Sequence, residues 1–166
     1  NSRPTSHWNK RVHPESKMYL DSTSFSPILK LRKSGFTVAS ISNKDGIFRG
    51  ENQLISLGVY DSKTFMNSNH VQHLAFENAG WKENTYPSSL MGTISLIRQT
   101  FLDKDWYGQA WTIYKKYSDL NRPPEINDAL SYLSGYNGKF VFFAGNETSI
   151  ERILKLKKEF NLDLIL

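Results

Sequence analysis

Apolar positions recur at helical spacing most clearly over residues 88–102. Leu90, Ile94, Ile97 and Phe101 share one face, with Met91 and Leu102 widening the stripe. Pro87 and the pair Ser88-Ser89 supply a start signal, a fixed φ followed by hydroxyls that accept from free helix N–H groups. Gly92 inside this helix predicts close approach of another backbone, because a mid-helix glycine costs about 1 kcal/mol against alanine. Arg98 and Gln99 are set mid-helix, facing solvent or a partner group. After Asp105 a second helical segment, residues 106–117, carries Trp106, Trp111, Ile113, Tyr114 and Tyr117, aromatics that read as core in preference to a base-stacking platform.

The pattern changes towards the C-terminus. Residues 140–144 form a continuous apolar run, as in a strand buried on both faces. Thr148 and Glu151 match a capping box, and Ile150, Ile153, Leu154 and Phe160 line the helix that follows. Residues 162–166 read as the next strand. This succession predicts a βαβ unit with parallel strands and a right-handed crossover. Ahead of it, Asn121 to Pro124 breaks the chain, and residues 126–133 form a short helix with Ala129, Leu130 and Leu133 inward.

The first half is less regular. Residues 1–25 are polar, with Pro4 and Pro14, and Trp8 and Tyr19 are expected to tack the segment onto the body. Ser26 and Pro27 open a short helix that Gly35 closes. Residues 36–42 read as a strand of the same parallel sheet as 140–144 and 162–166. Asp45-Gly46 marks a turn. Residues 47–50, 53–60, 63–66 and 71–76 are strand candidates forming a small antiparallel excursion. In residues 53–60, Leu54, Ser56 and Gly58 face one side and Ile55, Leu57 and Val59 the other. Residues 26–166 are thus expected to form a single α/β domain.

Composition narrows the function classes. The chain has 166 residues, enough for one domain with a real core, and 13% aromatics to fill it. No apolar run approaches the ~18 residues of a membrane span. With no cysteine there is no disulfide and no thiolate metal site. The net charge of +5 reads as a lysine-rich surface. A nucleic-acid binder is the sharper alternative, but no dense Lys/Arg block with interleaved aromatics occurs, so no nucleic-acid partner is expected.

Four histidines remain for metal chemistry, and their spacing is poor. His7 and His13 have no regular spacing. His70 and His73, three apart on a strand, point to opposite faces and do not converge on one ion. Arg49, between Gly46 and Gly50, is a candidate for holding an anion or a carboxylate, the alternative being a surface arginine in a loop. Asn146 and Glu147 follow the strand at 140–144 and are candidates for substrate binding or proton transfer, the alternative being helix capping.

Several blocks also resemble a known family. Tyr86-Pro87-Ser88-Ser89-Leu90-Met91-Gly92, the helix with Leu96-Ile97-Arg98-Gln99-Thr100-Phe101, and then Asp105-Trp106-Tyr107 resemble the metal-dependent amidohydrolase superfamily, in its imidazolonepropionase-like branch. Trp8-Asn9 with Val12-His13-Pro14-Glu15, Leu31 to Thr37, Asp45 to Gly50 and Lys157 to Leu162 resemble further blocks of that branch, in the right order. The resemblance implies part of a (β/α)8-barrel-like parallel sheet with helices. It implies hydrolysis of C–N bonds of the cyclic amide type by the full-length protein, with a divalent metal such as zinc. It also leans towards an exported or periplasmic bacterial protein.

The superfamily's metal ligands are a His-x-His pair, later histidines and an aspartate. His-x-His is absent here, no histidine follows His73, and Phe143-Ala144 stands where the resembled strand often ends in His-Ala. A closed barrel needs roughly 200 residues or more. The chain therefore reads as an internal piece of a longer protein, inactive by itself and with no cofactor of its own. Its expected partner is the remainder of the parent or a second copy, met through Leu162, Leu164, Ile165 and Leu166. A small-molecule substrate fits the same reading. The competing function is a non-catalytic relative that uses the scaffold for binding.

Overall fold

The computed structural model describes residues 6–16, 25–58, 65–66, 71–76, 86–119 and 122–166. Its elements run α1 (Phe25–Lys33), β1 (Val38–Ile41), β2 (Phe48–Glu51), β3 (Gln53–Ser56), β4 (Phe65–Met66), β5 (Val71–Ala75), α2 (Leu90–Lys116), α3 (Asp128–Gly135), β6 (Lys139–Phe143), α4 (Glu147–Phe160) and β7 (Leu164–Ile165). The strands form two sheets, one in the order β2-β5-β6-β7 and a smaller one in the order β1-β3-β4. The fold is α/β: a mixed, mostly parallel open sheet with helices, beside a small antiparallel sheet.

The βαβ unit stands as its pattern predicts. β6 and β7 pair in parallel, Phe140 with Leu164 and Val141 with Ile165, and α4 connects them. β5 pairs in parallel with β6, Val71 with Lys139 through Ala75 with Phe143. β2 runs antiparallel to β5, with an irregularity between Phe48 and Glu51.

Two strand assignments are corrected. Val38–Ile41 does not join the parallel sheet; it pairs antiparallel with Gln53–Ser56. The chain leaves the large sheet at Asn52, between β2 and β3, and folds back on β1. Conversely β5, expected in the antiparallel excursion, lies inside the large sheet. Burial in β3 follows the expected alternation, with Ile55 and Leu57 buried and Leu54 and Ser56 less so. Val59 lies outside the described residues.

α2 is one helix of 27 residues, not two. Asp103, Lys104 and Asp105 look like a break in sequence, but an aspartate costs a helix interior at most about 0.7 kcal/mol against alanine, too little to end it. Ser89 caps it, its hydroxyl accepting from Gly92 N–H at 3.1 Å. The buried face is Thr93, Leu96, Ile97, Thr100 and Phe101, whereas Met91 and Leu102 are exposed. A Cβ on Gly92 would lie 3.1 Å from Pro87 Cβ and 3.5 Å from the Tyr86 ring, so the close approach comes from side chains of the preceding turn. Arg98 reaches Glu159 of α4 at 2.8 Å across an exposed surface, a pair worth about 0–1 kcal/mol. The second half of α2 is less buried than its aromatics predict: Tyr107 is buried and its hydroxyl accepts from Asn127 N–H at 3.3 Å, but Trp106, Ile113 and Tyr117 are exposed.

α3 buries Ala129, Leu130 and Leu133 as expected. α4 begins two residues earlier than the capping-box pattern places it, with Asn146 as cap in place of Thr148, and it buries Ile153 and Leu156 while Ile150 and Leu154 stay exposed.

The core lies between the helices and one face of the large sheet, where Phe48, Leu74, Phe76, Phe140 and Phe142 meet Leu96, Ile97, Phe101, Ile153 and Leu156. Phe101 is its hub, with ring centroids 5.5 Å from Phe48, 5.5 Å from Phe140 and 5.1 Å from Phe160. Leu162 is part of this core and Leu164 packs against it, so of the four residues expected at an interface only Ile165 and Leu166 are exposed. Residues 9–16 run along β2, with Ile47 N–H donating to Arg11 C=O at 2.8 Å and Gln72 Nε2 to Pro14 C=O at 2.7 Å. Trp8 does not bury itself against the body, being 61% exposed; His7, Asn9, Arg11, Val12 and Pro14 are the buried members. Tyr19 lies outside the described residues.

Candidate functional site

Side chains alternate across a strand, so the residues between the core positions point to the other face of the large sheet. On β2 that residue is Arg49, on β5 His73, and on β6 Val141 and Phe143. They come from three neighbouring strands and meet. Arg49 Cζ lies 5.3 Å from the Phe143 ring centroid, and the His73 and Phe143 rings are 5.6 Å apart.

Arg49 is set there by its local backbone. Gly46 and Gly50 both adopt positive φ, 88° and 83°. At Gly50 a Cβ would fall 2.2 Å from the Ser16 carbonyl oxygen, so glycine lets the 9–16 segment press against β2. Ser16 C=O accepts from Glu51 N–H at 3.2 Å and the Ser16 hydroxyl donates to Arg49 C=O at 3.4 Å. Arg49 Nε in turn donates to Gly46 C=O at 3.1 Å. The guanidinium is therefore held by its own turn and by the face of Phe143, a cation–π arrangement.

His73 is buried, and its Nδ1 is enclosed with no hydrogen-bond partner among the described residues. Burial lowers its pKa below the usual 6.5, and the nearby Arg49 charge lowers it further. The ring is accordingly neutral near pH 7, one nitrogen able to donate and the other to accept. Arg49 with a neutral imidazole offers a cation and a neutral polar group side by side, a combination suited to a carboxylate or a polarised carbonyl.

Asn146 and Glu147 lie just beyond the C-terminal end of β6, on the same strand as Phe143. The Asn146 side chain accepts from Ser149 N–H at 2.9 Å and caps α4, and Glu147 stands exposed in the helix's first turn. Asn146 has the capping role weighed for it in sequence. The signal missed there was the strand register that pairs His73 with Val141 and so brings its ring near Phe143, two residues on; no local pattern in either segment carries it. His70 lies outside the described residues.

On the helix side, Glu51 accepts from the Tyr132 hydroxyl. Burial, and then this carboxylate, raise the Tyr132 pKa above its usual value. Tyr136 accepts from Gln72 N–H at 3.0 Å and donates to Lys139 C=O at 2.6 Å. Burial pushes its pKa up to about 12. Both phenols stay protonated and tie α3 to the sheet, so they are structural.

Among the described residues no group of three or more His, Cys, Asp or Glu side chains is arranged to hold a metal ion. Among the described residues His73 is the one histidine on the Arg49 face, and Phe143 beside it cannot ligate. These residues do not fit the divalent metal that the resemblance implies.

No family profile matches the chain, and no curated protein matches it. Among solved structures, an amidohydrolase from Thermotoga maritima MSB8 is similar, with a TM-score of 0.66 and 16% sequence identity. The similarity covers 83% of this chain and 38% of that one. The chain therefore has the fold of part of an amidohydrolase.

Proposed function

We propose that this chain is part of an amidohydrolase-like protein that hydrolyses C–N bonds of the cyclic amide type, and that it forms one wall of the substrate site without hydrolysing anything alone. The observation that carries this reading is the likeness in fold to part of the Thermotoga amidohydrolase. The division of the large sheet supports it: helices cover one face, and the other presents Arg49 and His73. In a barrel that second face looks into the lumen, and strand C-terminal ends form the site. Arg49 takes a substrate carboxylate or carbonyl, neutral His73 adds a hydrogen bond, and Asn146 and Glu147 stand at the rim. The metal chemistry expected of the family belongs to residues outside this set.

The exposed edge of β7, with Ile165 and Leu166, then meets the remainder of the parent protein. An uncovered edge of this kind is a template for pairing with another chain.

A second reading, a non-catalytic relative that only binds, is favoured by Phe143, which occupies the strand end beside His73 with a side chain that neither ligates nor moves a proton. The test is an assay of the chain, and of the longer protein containing it, with zinc or manganese against hydantoin, dihydrouracil and imidazolonepropionate. We expect turnover by the longer protein alone, with Arg49→Ala raising KM more than it lowers kcat. Turnover by the isolated chain contradicts the assignment of catalysis to other residues. No turnover by either, with saturable binding lost in Arg49→Ala, establishes the binding-only relative.

A further inference from the structure

A second polar and aromatic site lies on the helical side of the molecule, away from the Arg49 face. Ser95, Gln99 and Asp103 are spaced four apart on α2 and so line one stripe of it. Beside the stripe stand Trp8 and Tyr86, and the five residues line an open cavity of ≈ 590 Å³. Trp8 is 61% exposed and Tyr86 53%, large rings left to solvent.

The segments that carry these rings are tied together. Asn9, buried, donates from Nδ2 to Tyr86 C=O at 3.1 Å, and its own side-chain oxygen accepts from Arg11 N–H at 3.0 Å. Asn9 N–H donates to His7 Nδ1 at 3.0 Å. Two segments far apart in sequence are thereby tied together before any ligand arrives, which reduces the ordering cost of binding.

Ring geometry selects the ligand. The Trp8 and Tyr86 centroids are 6.2 Å apart with planes inclined by 24°. A group held between two rings needs van der Waals contact on both sides, about 7 Å in all, so nothing fits between them. Near-parallel rings also do not converge on a point as the walls of an ammonium cage do. They stack offset on one another, and each leaves part of its ring to solvent. Asp103 accepts from Gln99 Nε2 at 2.6 Å, and a carboxylate has further lone pairs for hydroxyl donors while repelling anions. Gln99 and Ser95 add donors and acceptors along the stripe.

We propose that this cavity binds a neutral saccharide, the C–H face of a pyranose ring lying on the Trp8–Tyr86 surface and its hydroxyls bonding to Asp103, Gln99 and Ser95. The site is independent of the hydrolytic reading.

The test is an NMR titration of the whole chain with cellotriose and with maltotriose, using choline and acetate as charged comparisons. A saturable shift of the Trp8 indole N–H with at least one saccharide, and none with choline or acetate, is expected. Trp8→Ala should weaken binding about tenfold or more, as truncating a central aromatic contact does. Asp103→Asn should weaken it several-fold. Ser95→Arg, at an exposed helix position, fills the cavity and should abolish the shift even if Trp8→Ala disturbs the N-terminal segment. A response to choline alone, no response to either saccharide at tens of millimolar, or saccharide binding that survives Ser95→Arg overturns the proposal.

Discussion

The two faces of the large sheet use neighbouring residues for opposite ends. Towards the helices, Phe48, Leu74, Phe140 and Phe142 interlock with Phe101 and are almost wholly buried. On the other face, Arg49, His73 and Phe143 form a group with a fixed cation, a neutral buried imidazole and a ring 48% exposed. One residue along each strand separates core from site. Among the described residues the helices pack on the first face, and the second, though His73 and Ala75 on it are buried, carries polar groups that an apolar core would reject.

The largest effect that should expose this asymmetry is truncation of the hub. Phe101→Ala removes contacts to three rings and should cost about 3–5 kcal/mol, whereas Phe143→Ala on the other face should cost under about 1 kcal/mol, near the range of surface changes. Urea denaturation of both variants checks the pair. Equal losses would mean that the second face is as much a core as the first.

Asn146 stands where strand end and helix start meet, so its role separates stability from binding. Asn146→Ala should destabilise by about 1 kcal/mol through loss of the α4 cap, and Asn146→Asp should restore most of it. If the Asp variant recovers stability yet the longer protein still loses substrate affinity, the side chain acts at the rim as well.

A smaller effect comes from pH. His7 and His73 both have pKa values lowered, chiefly by burial. The unfolded chain takes up these protons near 6.5 and the folded chain only at lower pH. The unfolded state thus binds more protons in that window, and stability falls as pH drops below about 6.5. The urea midpoint should decline between pH 7.5 and 5, and His73→Gln should flatten part of the decline. An unchanged slope would show that His73 titrates as it does in solution.

How much of this was legible in the sequence follows from the range of each signal. The β6-α4-β7 unit was readable because its strands, helix and turns are contiguous and the periodicity changes at each boundary. The helix after Ser89 was readable too, though its continuation through Asp103-Lys104-Asp105 was not, since a charged run looks alike in a loop and on a helix surface. The place of Val38–Ile41 and Val71–Ala75 could not be read, because alternation identifies a strand but not its partner. Val71 pairs with Lys139, far along the chain. For the same reason Arg49 was legible as a candidate from its flanking glycines, while its meeting with His73 and Phe143 depends on the register of three strands. Trp8 was misjudged because an aromatic in a polar segment usually buries itself; here Asn9 anchors the segment and leaves the ring outside.

Sedimentation equilibrium of the chain tests most directly whether the large sheet is a wall open at β7. β7 pairs with β6 and lies at the edge of the sheet, with Ile165 and Leu166 exposed beside it. The chain is expected to self-associate reversibly as concentration rises, and Ile165→Lys with Leu166→Lys, neither in the core, should shift it towards monomer with the fold intact by circular dichroism. A wild-type chain that stays strictly monomeric at high concentration would contradict the account and mark this sheet as a closed domain in its own right.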